Sequence, residues 1–200
     1  MKLFWLILKD LRVELRRGFE ILASVSFILV SSLLISHASF YTTKELIVPA
    51  FWLTVIFIAV FTSTTSFIRE MDSKTLYGLR LLPISAYTVF ISKTIFTFIL
   101  ITSQGFLELI FLAVFSGYYG IFDIFAMFIV FSLYISVIAS FASALVMYSE
   151  GRAFLIPMLI FIFTTPVIMT LLKNDITLLL LEIVAVSSAV ITLSSYILEA

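Results

Sequence analysis

The side chains most able to do chemistry in this chain stand inside its apolar stretches. Glu108 lies deep in one such stretch, with Gln104 one turn earlier on the same helical face. Glu182 lies a couple of turns into the last stretch. An acidic residue at the middle of a membrane helix costs about 2.5–3.5 kcal/mol on insertion scales. Such a carboxylate must face a protein interior or a water-filled path, or be neutralised. Glu108 and Gln104 are therefore candidates for the lining of a permeation path or a subunit interface, or for a hydrogen bond between helices. Glu182 is placed to reach the outer headgroups. Asp123 opens the fourth apolar run, where the helix dipole favours a carboxylate. His37 is the only histidine and cysteine is absent. Metal sites draw on several ligands, and nothing partners His37 by spacing, so no metal ligand and no catalytic residue is assigned. An intramembrane enzyme would have to rely on Glu108 and Glu182, which sequence spacing does not bring together.

The elements that hold these residues follow from composition. The chain is 62% hydrophobic and only 12% charged, about half the charged share of a soluble domain. Its apolar residues come in runs of the length that crosses a hydrocarbon core of about 30 Å. The expected fold is all-α: a single transmembrane unit over 1–200 with six transmembrane helices, near 20–38, 47–68, 93–116, 121–148, 153–172 and 176–198. Alternating segments of a β-barrel are not seen. Zero net charge and the lack of a basic, aromatic-laced cluster imply no nucleic-acid partner. Serines and alanines (Ser136, Ala139, Ser140, Ala142, Ser143) form a small-residue seam in the fourth span, suited to close helix packing. Pro157 and Pro166 interrupt the fifth.

Residues 2–19 predict an amphipathic helix lying in the membrane interface. Leu3, Phe4, Ile7, Leu8, Leu11, Leu15 and Phe19 recur at helical spacing, and Lys2, Lys9, Arg12, Glu14, Arg16 and Arg17 fall largely on the other side. Lys and Arg near span ends set the orientation. Lys2, Lys9, Arg12, Arg16 and Arg17 precede the first span, Arg69, Lys74, Arg80 and Lys93 follow the second, and Arg152 follows the fourth. The opposite side holds only Lys44 and Lys173. The expectation is a multi-pass protein of the cell membrane with both termini in the cytoplasm.

The polar passage over 69–92 lies on that cytoplasmic side. Asp72 and Ser73 are N-cap residues, and Pro83 disfavours helix at the residue before it. Lys74, Thr75, Leu76, Tyr77, Leu79, Arg80 and Leu82 then form a short helix across the membrane face, with Leu76, Leu79 and Leu82 on one stripe. Ile84, Ser85 and Ala86 lead into a further helix that enters the membrane near Lys93.

The run Arg69-Glu70, Lys74-Thr75-Leu76, Leu79, Leu82-Pro83-Ile84 and Lys93 resembles the segment after the second span of ABC-2-type permeases. More specifically, the chain resembles the haem exporter B family, the permease of the cytochrome c maturation ABC transporter. Residues 9–20 are similar to that family's charged opening helix. Ile47-Val48-Pro49-Ala50-Phe51-Trp52 is similar to its entry to the second span, and Gly151-Arg152 with Pro157 and Pro166 to its fifth segment. The family's Asp-Gly-Ser/Thr-Leu reads Asp72-Ser73-Lys74-Thr75-Leu76 here, and its following acidic residue is replaced by Tyr77-Gly78.

The resemblance implies that Asp72 to Leu82 form a coupling helix docked on a separate ABC ATPase subunit, and that the N-terminal helix with Lys9, Arg12, Arg16 and Arg17 is an elbow. It implies two permease copies, ATP on the partner, and other cytochrome c maturation subunits nearby. The bilayer is the remaining partner. Haem would be a substrate rather than a bound cofactor, with His37 the one residue whose chemistry suits an axial ligand. The chain itself has no Walker motif and is expected not to be an enzyme. The competing readings are the permease of another ABC-2 exporter, for drug, lipid or glycan, and a scaffold that assembles partner subunits.

Overall fold

A computed structural model describes residues 2–16, 18–41, 44–65, 85–148, 154–173 and 175–199. Apart from two short 3-10 segments, Lys44–Leu46 and Tyr119–Ile124, these residues form α-helices: α1 Lys2–Arg16, α2 Gly18–Tyr41, α3 Ile47–Thr65, α4 Ala86–Ser116, α5 Phe125–Tyr148, α6 Leu155–Leu172 and α7 Ile176–Glu199. No strand occurs among them. In hydrocarbon a helix satisfies every backbone N–H and C=O within its own segment, which is why long apolar runs take this form.

Five apolar helical stretches are long enough to cross a bilayer: Ile21–Tyr41, Tyr87–Ser116, Tyr119–Val146, Leu155–Leu172 and Ile176–Leu193. The chain is a polytopic helical membrane protein. The second expected span is a shorter apolar stretch, Ile47–Ser63 of α3, and the expected residues 66–68 lie outside the described ones. Leu22, Leu29, Val30, Leu33 and Leu34 of α2 and Leu178, Leu180, Leu181, Val184 and Leu193 of α7 stand exposed. In water such a surface would drive association; in a bilayer it is the ordinary lipid-facing side.

Helix boundaries carry local signals. The Ser85 hydroxyl accepts the Thr88 N–H at 3.3 Å and opens α4. Gly117 closes it with φ 65, a left-handed conformation that costs glycine little, and its N–H reaches Ala113 O at 3.1 Å. Asp175 caps α7, accepting the N–H groups of Thr177 and Leu178 at 3.1 and 3.2 Å and the Thr177 hydroxyl at 2.6 Å. Those hydrogen bonds hold its carboxyl below its ordinary range, with nearby Lys173 adding to the effect. Pro157 falls in the first turn of α6, where its missing N–H breaks no helical bond, and Pro166 sits inside the helix.

At the centre is α5. Ile135, Ile138, Ala139, Ala142 and Ala144 are buried, as are Ser132, Ser136, Ser140 and Ser143. The small residues of this seam let neighbouring helices approach closely. Ser132 and Ser136 donate back to their own helix, to Phe128 O and Leu133 O, each at 2.7 Å. Trp52 of α3 packs edge-on against Phe131 of α5, and Phe51 against Phe128. A methyl group added at Gly105 of α4 would lie 2.6 Å from the Phe128 ring, so glycine is what allows that ring to seat between α4 and α5.

One expectation changes in α1. Arg17 lies outside the described residues and Gly18 falls in α2, so α1 covers Lys2–Arg16 of the expected 2–19. In it Glu14 is 4% exposed and Asp10 7% exposed, so Glu14 points into the protein and not to the polar side. For Asp10 the reason is a basic partner on α4, described next.

Candidate functional site: a polar stripe along the longest helix

With 31 residues, α4 is about 46 Å long at 1.5 Å per residue, well beyond a core of about 30 Å. Counting back from Ser116, roughly 20 residues suffice to cross, which leaves the first turns as an overhang. The helix α1 packs beside this overhang.

Four polar side chains recur along one stripe of α4: Lys93, Thr97, Gln104 and Glu108, spaced to share a face. Three of them are joined to a different helix each. Lys93 Nζ lies 2.9 Å from Asp10 Oδ2 of α1, with both side chains nearly buried. Lys9 Nζ flanks the same carboxylate at 3.2 Å. Thr97 accepts a long hydrogen bond from the Ser140 hydroxyl of α5, 3.4 Å. Gln104 Nε2 donates to Ser24 Oγ of α2 at 3.1 Å, and Ser24 in turn donates to Ile21 O at 2.9 Å. Gln104 Oε1 is buried with no hydrogen-bond partner among the described residues.

Glu108 ends the stripe. It is fully buried. Thr54 of α3 lies beside it but donates its hydroxyl to Ala50 O at 2.9 Å. Neither carboxylate oxygen receives a hydrogen bond from the described residues. Gln104 and Glu108 do share a face, as expected, yet they serve it differently: the amide ties α4 to α2, and the carboxyl has only the Thr54 hydroxyl near it, which bonds Ala50 O instead.

Glu182 of α7 is half-buried and turns inward, where it accepts the Thr170 hydroxyl of α6 at 2.9 Å. This is a link between helices rather than a reach to the headgroups. Tyr134 of α5 lies within electrostatic reach of Glu182 and donates to Phe163 O at 2.6 Å. Glu182 and Glu108 share no hydrogen-bond partner among the described residues. His37 is exposed and meets the Tyr41 ring edge-on at 5.1 Å. No cluster of three or more His, Asp or Glu suited to a metal ion occurs among the described residues. Asp123 is exposed in the 3-10 segment that precedes α5.

Lys9, Arg12 and Arg16 are exposed on α1. Arg17 lies outside the described residues, as do Asp72, Ser73, Lys74, Thr75, Leu76, Tyr77, Leu79, Arg80 and Leu82. Sorting α1 into apolar and charged residues misses the inward Asp10. The available signal is spacing: Leu3, Ile7, Asp10 and Glu14 form one stripe, distinct from that of Lys9, Arg12 and Arg16.

No protein-family model, no curated protein and no solved structure matches the chain.

Proposed function

We propose that this chain is the membrane-spanning permease subunit of an ABC transporter, of the ABC-2 type and similar in character to the haem exporter B family. It would work without catalysis of its own, in two copies, driven by a separate cytoplasmic ATPase. The reading counts α3 as a sixth span: its apolar stretch Ile47–Ser63 reaches about 26 Å at 1.5 Å per residue, near the lower limit for crossing.

The observation that carries the reading is the ion pair between Asp10 and Lys93. It fixes α1 beside the start of α4, so the N-terminal helix and the helix that follows residues 66–84 meet at one end of the bundle. The distribution of Lys and Arg makes that end cytoplasmic. An ATPase engaging residues 72–82 would act on α4 and α1 together, and α4 packs against α2, α3 and α5. Haem delivery for cytochrome c assembly is the cargo that the sequence resemblance favours.

The test is co-purification. Leu79→Asp is expected to insert and fold as the parent does but to lose the partner ATPase. Retention of the ATPase by the variant would refute the coupling role. Loss of holo-cytochrome c in cells lacking the chain, restored by the parent and not by Leu79→Asp, would support the haem assignment. Normal cytochrome c in those cells would turn the reading to another exporter.

A further inference from the structure

The buried face of α1 fixes what its other two faces meet. Successive residues of a helix turn by about 100°, and α1 divides into three stripes of identical spacing. Leu3, Ile7, Asp10 and Glu14, with Leu6, face the bundle. Phe4, Leu8, Leu11 and Leu15 form the second stripe, with Phe4 62% and Leu15 72% exposed. Trp5, Lys9, Arg12 and Arg16 form the third, all exposed, with Trp5 at 68%. Because the ion pair to Lys93 holds the first stripe on α4, the helix cannot roll to hide either of the others.

An apolar ridge beside a basic ridge, on a helix packed along the overhang of a membrane-spanning helix, fits one surroundings: acyl chains under the first and phosphate headgroups against the second. Tryptophan belongs at that level. The basic ridge carries no acidic residue of its own, since both carboxylates of α1 turn inward. We infer that Arg12 and Arg16 make this face a binding surface for anionic phospholipid headgroups, Lys9 being engaged by Asp10. The inference stands on the membrane reading alone and does not need the ATPase.

The chain has two tryptophans, Trp5 and Trp52, and Trp52 is 1% exposed. Trp5 therefore reports on the ridge, with a Trp5→Phe chain supplying the Trp52 background. The full-length protein is reconstituted at low ionic strength in phosphatidylcholine vesicles with a minority of phosphatidylglycerol. Bromine, a fluorescence quencher, is placed on the acyl chains of one lipid or the other. Brominated phosphatidylglycerol is expected to quench Trp5 beyond its mole fraction, by about fivefold for each arginine engaged, and the excess should fade in high salt. Arg12→Gln with Arg16→Gln should bring quenching down to the mole fraction, and Arg12→Lys with Arg16→Lys should keep the excess. Quenching in proportion to mole fraction in the parent overturns the inference. So does an excess that survives the glutamine pair, or a Trp5 that neither brominated lipid quenches, which would mean that another protein surface covers the ridge.

Discussion

Asp10 and Lys93 stand 83 positions apart in sequence and 2.9 Å apart in space. Their ion pair joins a helix too polar to cross the bilayer to the first turns of the longest helix that does. Both side chains are nearly out of solvent, so losing either leaves a buried charge poorly compensated. Lys93→Met is expected to destabilise the protein by about 3 kcal/mol, the lower end of the range for a broken buried pair, because Lys9 stays near the carboxylate. Asp10→Leu combined with Lys93→Met should recover most of that loss. Equilibrium unfolding of the four proteins in detergent measures it; a double variant as weak as the single one would show that the pair is not what holds α1.

A tighter constraint lies deeper. Alanine at Gly105 would drive a methyl group to 2.6 Å from the Phe128 ring, and that ring is fully buried and packed against Phe51. Gly105→Ala should therefore cost about 1–3 kcal/mol through overpacking. Phe128→Leu leaves a cavity by itself, yet in combination with Gly105→Ala it should cost less than the sum of the two. Additive losses would mean that Gly105 and Phe128 do not meet.

Much of this arrangement is readable from sequence, for a physical reason. Hydrocarbon demands long, unbroken apolar segments, so the runs at 20–38, 121–148, 153–172 and 176–198 overlie described helices to within a few residues at most ends. The small-residue seam of α5 is buried because serine and alanine have no other use at such density. Pairing between segments leaves no comparable trace. Nothing local to Glu182 says that Thr170 will face it, since that depends on how α6 and α7 fold back on each other. The inward turn of Asp10 and Glu14 runs against the habit of assigning every charge to water, and only the Lys93 partner makes sense of Asp10. The start of α4 just after Ser85 agrees with the expected helix led in by Ile84, Ser85 and Ala86, and the Ser85 cap marks it.

Asp175 gives the hairpin of α6 and α7 an acid limit. Its carboxyl is held below the ordinary value of about 3.9 by the hydrogen bonds it accepts from Thr177 and Leu178. A group depressed in the folded state stabilises above its unfolded pKa and loses that contribution as pH falls through the folded one. The thermal midpoint of the parent should thus be flat above about pH 4 and fall below it. Asp175→Asn keeps an acceptor for the helix N–H groups and should lose the part of this acid dependence that Asp175 carries. Asp175→Ala should lower the midpoint at neutral pH as well. Midpoints measured from pH 3 to pH 7 decide it, and an acid limb of equal size in Asp175→Asn would assign the effect to another carboxylate.

Glu108 sets stability against use. Its carboxyl is fully buried and neither oxygen has a hydrogen-bond partner among the described residues. A group so placed destabilises the fold it sits in. The insertion cost of an acidic residue at mid-membrane, about 2.5–3.5 kcal/mol, bounds what its removal can return. Glu108→Met, close in volume, should raise the thermal midpoint, and Glu108→Gln should raise it less because an amide still wants partners. If the carboxylate serves transport as proposed, both variants should lose substrate-stimulated ATP hydrolysis in a complex reconstituted with the proposed ATPase while gaining stability, the usual sign of a strained functional residue. A lower midpoint in Glu108→Met would instead mean that the carboxylate is anchored, and the polar stripe of α4 would then be structural along its whole length.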